Sequence, residues 1–498
     1  MLLLTAELLL YFQRCNRRAF LDVFGDQDQR DPPSDYLLKL IQDSGTHRKR
    51  VLSQWNWQQP DYPKDDWESG FQATVRLMQE GVECIHRGVL LAQETPDVLL
   101  LSQPDLLIRQ PGQSRWGDWI YIPAEIKLGK RPKLEYQFMA AFDVHVLADI
   151  QEEWAETAYL LLREKGTYEV DLWKTVPPMQ TLLKECIATL AAPDAPEVFI
   201  ARNRCNLCSW YSQCYTIAQS TEHLSLLPGV TASRYPHLKA KGLTTVAALA
   251  TTPPDVLETF PGFNADIAHK LVFQARSSLE NRALVRSDVE FQLAQDLPTA
   301  EVELYFDIEA EPELNLAYLH GILVVDRRTG AETFHPLLAK QPENEPEVWQ
   351  QFLDLVWRYP TAPIYHFCPY ELQTIERLAY TYGLSESLLR SLRSRFVDLH
   401  ERVTRAVVLP VESYALKPIV RWMGFEWRDP NGSGAQAICW YDQWLETGDR
   451  SYLELILRYN EDDCRAMRHL KDWLVEFLTD PSESGSTVEM THPEPCPY

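Results

Sequence analysis

Apolar residues in the stretch TAELLLYFQRCNRRAFLD, residues 5–22, recur at spacings of three and four, which predicts an amphipathic helix with Thr5 as its N-cap. Helical spacing continues to about Glu80. The pattern then changes: VECIHRGVLL, VLLLSQPDLLIRQ and DWIYIPAEIKLG are apolar runs divided by Pro, Gly and Asp, and each predicts a strand. A helix over 132–150 follows, then the hairpin AYLLLREKGTYEVDLW with its turn at Lys165 and Gly166. A helix over 179–190 leads to a cysteine-bearing stretch. Helices, strands, a helix and strands again, in that order, predict a mixed α/β lobe.

Between about Ser225 and Arg282 only helical spacing is present. Two related pieces, LLPGVTASRYPHLKAKGLTTVAALA and FPGFNADIAHKLVFQARSSL, each place a Pro-Gly turn beside apolar helical stretches. They look like a pair of helix-hairpin-helix elements, whose turns can offer backbone N–H groups to a phosphate; a plain helical spacer has the same pattern. Strand signals return at Val302, where VELYFDIEA and AYLHGILVVDRRTGAETFHPLL predict a three-stranded meander and APIYHFC a buried strand. Helices then run to about Leu478, and the closing SESGSTVEMTHPEPCPY has the composition of a disordered tail. The expected organisation is a lobe over residues 1–220, a helical connector over 221–290, a second lobe over 291–480 and a tail over 481–498.

Length and composition agree with this division. A chain of 498 residues exceeds one hydrophobic core, and 45% hydrophobic with 24% charged residues is an ordinary globular composition. No apolar run has the length of a membrane span, and the leading LLL lacks a basic flank and a cleavage site, so we expect no signal peptide, no membrane partner and a cytoplasmic location. Ten cysteines are too sparse for a disulfide scaffold. A net charge of −23 excludes a broadly basic surface, so any contact with nucleic acid must rest on local sites.

Three constellations carry candidate chemistry. Asp105 in QPDLLI is followed on the next predicted strand by Glu125 and Lys127, two apart and hence on one face. Such an acidic pair can hold Mg²⁺ or Mn²⁺ against a scissile phosphate while the ammonium stabilises charge, although solvated Glu-x-Lys pairs also decorate many strands. Asp307 and Glu309 in YFDIEA likewise share a strand face, and Tyr459 and Asp463 stand four apart on a predicted helix. Three carboxylates and a phenol suit two-metal phosphodiester hydrolysis. Finally, CNLCSWYSQC sets Cys205, Cys208 and Cys214 in a spacing that can bind iron–sulfur or zinc but is one thiolate short.

Each constellation resembles a known family motif. Pro104-Asp105 with Glu125-Ile126-Lys127 is similar to the PD-(D/E)XK motif of RecB-family nucleases, which implies metal binding by Asp105 and Glu125 and catalysis by Lys127. The resemblance also implies an assisting glutamine, for which Gln137 stands in place; Ala141 replaces the family's aromatic four residues later. Asp307-x-Glu309 with Tyr459-x3-Asp463 resembles the DEDD exonucleases, implying that Asp307, Glu309 and Asp463 bind the metal pair and that Tyr459 orients the nucleophilic water. The family's middle aspartate is replaced by Glu371 in IYHFCPYE, and Asp398 is a competing acid outside the set. The cysteine spacing resembles the iron–sulfur staple of RecB-like exonucleases, which implies Cys15 as the fourth ligand of a [4Fe–4S] cluster, with zinc as the alternative.

Together these resemblances imply a RecB-like nuclease family of fused architecture: a restriction-endonuclease-like PD-(D/E)XK lobe and a ribonuclease-H-like lobe joined by the helical connector. The implied activity is metal-dependent hydrolysis at DNA or RNA ends, with single-stranded ends as partners and a helicase as a possible associate. The competing reading is a nucleic-acid-binding adaptor in which one or both centres are inactive.

Overall fold

The computed structural model describes residues 1–286, 292–312 and 314–479. They form two compact units, one of Met1–Val198 with Arg202–Cys214 and one of Phe199–Ala201 with the chain from Tyr215 onward. The predicted tail over 481–498 lies outside the described residues. Among the described residues no helix is long and apolar enough to cross a membrane.

The first unit begins with β1 (Leu2–Thr5), α1 (Ala6–Arg14) and α2 (Asn16–Phe24). The leading leucines, for which no element was predicted, form a parallel strand beside β4 (Val98–Ser102). Thr5 does cap α1, accepting the Leu8 N–H at 3.0 Å. The single helix predicted over 5–22 is broken at Cys15. That residue is extended, with φ −161°; its N–H closes α1 on the Tyr11 carbonyl, and its sulfur accepts the Arg18 N–H to start α2.

Next come α3 (Asp35–Leu52), α4 (Trp67–Gln79), β2 (Cys84–His86), β3 (Leu90–Thr95), β4, β5 (Leu106–Ser114) and β6 (Gly117–Lys127). Two predicted strands are each divided. VECIHRGVLL breaks where Arg87 takes φ 51° and Gly88 packs so closely that a Cβ would lie 2.8 Å from Leu107 Cδ1. VLLLSQPDLLIRQ breaks at Pro104, which cannot donate to a ladder. The halves enter different sheets, one ordered β1-β4-β3 and the other β2-β5-β6-β7-β8, where β7 is Tyr159–Leu162 and β8 is Gly166–Glu169. Asp105 consequently sits at the mouth of β5, level with Glu125 on β6.

Between β6 and β7 runs α5 (Leu134–Gln151), buried on most of its circumference, as a crossover helix on a parallel pair must be. After β8, α6 (Leu172–Leu190) begins earlier than the predicted 179, because Asp171 caps it and Pro177 and Pro178 fall inside the helix. The short α7 (Arg202–Cys205) and α8 (Tyr211–Ser220) carry Cys205 and Cys214, and Cys208 lies between them.

In the second unit, α9 (Tyr235–Ala240), α10 (Val246–Thr251), α11 (Pro254–Glu258) and α12 (Ala265–Glu280) enclose a small core that includes Leu224, Leu238, Leu249, Leu257 and Leu271. Both Pro-Gly turns use a left-handed glycine, Gly229 at φ 90° and Gly262 at φ 79°, and the Arg234 guanidinium donates to both glycine carbonyls, at 2.9 and 3.4 Å. Rather than forming a separate unit, the connector is tied into the second one: Gln274 and Ser277 donate to the carbonyls of Leu409 and Val408. Each such bond contributes about 1 kcal/mol.

The remainder runs β9 (Leu284–Val285), α13 (Leu293–Asp296), β10 (Val302–Glu311), β11 (Leu316–Asp326), β12 (Glu332–Leu338), α14 (Glu345–Arg358), β13 (Ile364–His366), α15 (Tyr370–Thr381), α16 (Glu386–Arg393) and β14 (Phe396–Asp398). It continues with α17 (Leu399–Ala406), β15 (Val407–Val408), α18 (Leu416–Trp422), α19 (Gly434–Thr447) and the 30-residue α20 (Arg450–Thr479). The sheet order is β12-β11-β10-β13-β14, the predicted antiparallel meander extended by two parallel strands. Residues alternate along β10, so Leu304, Phe306 and Ile308 enter the core under α14 to α16 while Tyr305 enters the core shared with α20. Asp307 and Glu309 belong to the latter face.

Candidate metal centres

On that face of β10, the carboxylates of Asp307, Glu309 and Asp463 have ligand atoms all within 4.8 Å of one another, and Glu309 and Asp463 are buried. The third acid arrives on α20 with Tyr459 and Asn460 one turn earlier. Asn460 Nδ2 donates to Asp307 Oδ2 at 2.6 Å, the Trp427 indole donates to Asp463 Oδ1 at 2.8 Å, and the Tyr459 hydroxyl bonds to Asp463 as well. Asp307 pairs across the ladder with Gly321, and a Cβ at that position would overlap Asn460 Oδ1. Glycine is therefore what lets α20 come close enough to complete the cluster.

Burial dominates the electrostatics of this group. It pushes the proton affinities of Asp307 and Glu309 well above the usual carboxylate range, and the neighbouring carboxylates add to the effect. Asp463 is raised to about 7, burial outweighing the Trp427 bond and the nearby Lys417. Tyr459 is held well above its ordinary value by burial and then by Asp463. Without a cation the cluster therefore retains protons, and a divalent ion would replace them.

Glu371, at the first turn of α15, is buried and stands outside the tight triad. Its Oε2 has no hydrogen-bond partner and lies 3.6 Å from His366 Nδ1. Its charge still acts on Asp307 and Glu309. An acceptor so placed fits the donor set that Mg²⁺ or Mn²⁺ takes, all oxygen. Asp398 is occupied elsewhere, accepting the N–H groups of Cys368 and His400 at the start of α17.

A second acidic group lies in the first unit. Asp105 and Glu125 are both buried, and Lys127 Nζ reaches Glu125 Oε2 at 2.6 Å. Asp105 accepts the Ile126 N–H at 2.8 Å, and Arg48 Nε from α3 lies 2.7 Å from its other oxygen. Burial, then Glu125, raises the Asp105 proton affinity against the pull of Arg48 and Lys127. Burial also works to lower that of Lys127, but Glu125 and Asp105 leave it raised on balance, so Lys127 is held as a cation. Asp143 on α5 joins the group through Glu125 and through a 2.7 Å bond from Ser102, and burial keeps its carboxyl well above the ordinary range. Gln137 does not turn to these acids: its amide donates to the Pro132 carbonyl at 2.8 Å, closing the start of α5.

Cys15, Cys205, Cys208 and Cys214 share one neighbourhood despite the intervening chain. The Cys208 thiol, pushed up to about 11 by burial, feels both Cys205 and Cys15, and Cys214, also raised by burial, feels Cys15. The segments are laced together: Arg204 donates to the Arg14 carbonyl at 3.1 Å, Trp210 Nε1 to Asp22 at 2.8 Å, and the Ser212 N–H to Asp31 at 2.9 Å. The nearby arginines serve this packing. Arg14 pairs with Glu135, Arg17 donates to the Pro196 carbonyl, and Arg18 lies 3.6 Å over the Tyr11 ring.

Sequence reasoning passed over Arg48, Asp143, Trp427 and Asn460. Only Asn460 carried a signal, as a polar residue one position after Tyr459 on a helix face turned inward. No curated protein matches the chain. Residues 304–475, which include Asp307 and Glu309 on β10 and Asp463 on α20, match the family RNase_H_2, described as RNase_H superfamily. The region that builds the acidic triad is thus similar to the RNase H superfamily.

Proposed function

We propose that the protein is a metal-dependent nuclease that hydrolyses phosphodiester bonds at the ends of DNA or RNA single strands. The observation that carries this reading is the convergence of Asp307, Glu309 and Asp463 within 4.8 Å inside the RNase H-like region. Asp307, Glu309 and Asp463 hold Mg²⁺ or Mn²⁺, with Glu371 at the rim. A bound divalent ion supplies Lewis-acid polarisation of the phosphate and lowers the pKa of water. Tyr459, fixed by its bond to Asp463, orients the attacking water, while Trp427 and Asn460 fix the carboxylates.

Asp105, Glu125 and Lys127 in the first unit form a further hydrolytic centre, the first along the chain, with the Asp307, Glu309 and Asp463 group the second. The four cysteines hold a [4Fe–4S] cluster that joins the two ends of that unit; thiolates of such a cluster bind different iron atoms, which suits four neighbouring thiols drawn from α1–α2 and the α7–α8 segment. A specific observation favours the competing reading for the first centre, binding without hydrolysis. Arg48 already neutralises Asp105 and Lys127 neutralises Glu125. A helicase that delivers unwound ends is the partner this activity calls for.

The test uses anaerobically purified full-length protein with end-labelled single-stranded DNA and RNA in Mg²⁺ or Mn²⁺. Metal-dependent release of short products, abolished by Asp307→Asn together with Lys127→Ala, is expected. Product release by that double variant at the wild-type rate would overturn the assignment of both centres.

A further inference from the structure

Lys417, in SYALKPIVRW, stands in the first turn of α18 and turns its ammonium toward the second centre. Its Nζ lies 5.0 Å from the centroid of the Trp427 ring and 5.2 Å from that of Tyr459, and it donates to the Gly432 carbonyl. The loop bearing Gly432 is itself pressed onto Tyr459, since a Cβ there would lie 2.8 Å from Tyr459 Cδ2. The two rings that face the ammonium are the same two groups that hydrogen-bond Asp463. The cation is thereby mounted on the frame that orients a metal-binding carboxylate, and its field reaches both Asp463 and Glu309. A lysine serving only the surface extends its head into water; this one is half-buried against two aromatic faces.

We propose that Lys417 is a catalytic cation of the second centre, contacting a non-bridging oxygen of the scissile phosphate and sharing with the divalent metal the neutralisation of Asp307, Glu309, Glu371 and Asp463. The proposal rests on the hydrolytic reading of this centre. Charge explains the need: four ionised carboxylates and one phosphodiester require five positive charges, of which two divalent ions supply four. Lys417 supplies the fifth. In the reaction a water oxygen bonds to phosphorus, the bond from phosphorus to the leaving oxygen breaks, and the water's proton passes through solvent to the leaving group. Lys417 keeps its protons throughout and stabilises the charge gathering on the phosphate oxygens.

The role predicts a signature that a structural lysine lacks. A permanent cation beside the acids repels metal in the resting protein while stabilising the transition state, so its removal should tighten metal binding and slow turnover. The experiment is Mn²⁺ titration calorimetry and hydrolysis of an end-labelled single-stranded oligonucleotide, both in a background carrying Asp105→Asn and Glu125→Gln, which removes the acids that would hold metal at the first centre, so that the second centre is read alone. Lys417→Met should bind Mn²⁺ about 5- to 10-fold more tightly at this centre and turn over about 100-fold more slowly. Lys417→Arg, which keeps the charge, should restore the metal affinity and part of the rate. Unchanged turnover in Lys417→Met, or loss of metal affinity together with turnover, overturns the proposal. If the Asp105→Asn, Glu125→Gln parent binds no Mn²⁺ and hydrolyses nothing, the hydrolytic reading of the second centre falls, and the role of Lys417 with it.

Discussion

In the first centre each key acid has a cation against it, Arg48 at 2.7 Å from Asp105 and Lys127 at 2.6 Å from Glu125. In the second, the groups bonded to Asp307 and Asp463 are the neutral amide, indole and phenol of Asn460, Trp427 and Tyr459. Similar side chains thus reach two electrostatic solutions. The first centre is partly balanced by the protein's own cations, whereas the second crowds buried carboxylates to which, among the described residues, no cation is bonded, and leaves them in need of protons or metal. The contrast teaches that an acidic motif alone does not report demand for metal; the charge of what touches it does.

That contrast can be broken most sharply at the triad. Asp463→Asn should lower hydrolysis by the second centre by about 100-fold or more and reduce the rise in melting temperature on adding Mn²⁺, while any activity dependent on Lys127 persists. Calorimetric melting of wild type and variant, each with and without Mn²⁺, reads this directly. Next in size is Gly321→Ala. The added methyl overlaps Asn460 Oδ1, so either α20 or Asn460 must move, costing about 1–3 kcal/mol in urea unfolding and displacing Asn460 from Asp307.

The pH dependence of the metal-free protein sharpens the comparison further. Asp463 titrates near 7 when folded, against about 4 when unfolded. Between those values the folded state binds more protons, so stability contributed by this group is full below about pH 4 and is lost as pH rises toward 7. Melting in EDTA should therefore be higher at pH 5 than at pH 7.5 by a margin that shrinks in Asp463→Asn, and saturating Mn²⁺ should reduce the difference. The smallest effect is expected at Arg48, which is substantially exposed. Arg48→Gln should change stability by no more than about 1 kcal/mol yet raise Mn²⁺ affinity at the first centre a few-fold, measured in the Asp307→Asn background.

How much of this was legible follows from the physics of each element. The period of two in YFDIEA put Asp307 and Glu309 on one face, and the spacing of four put Tyr459 beside Asp463, because such local periods survive folding. The three-stranded meander and the mixed α/β class were readable for the same reason. Pairing partners from remote elements were not: nothing local to Asn460 announces that it will meet Asp307, 153 residues away. Arg48 is equally hidden, since its helix looked like any polar-faced helix. The break at Cys15 escaped the periodicity because the apolar residues on either side continue in phase, although the chain turns there and the Cys15 sulfur takes up the Arg18 N–H. The divisions at Gly88 and Pro104 had visible signals in the glycine and the proline, and only the assignment of each half to a different sheet required the structure.

The long helix α20 carries one further consequence, for the order of events during synthesis. It closes the second centre with a residue that emerges from the ribosome more than 150 positions after β10, and its later turns bring Lys471 onto the buried Glu303 at 2.9 Å and Leu474 and Phe477 into the core. A nascent chain that has completed β10 through α19 therefore holds two of the triad's acids without the third. Translation itself thus separates the making of the two β10 acids from the arrival of Asp463, and the triad is complete only once α20 has been made.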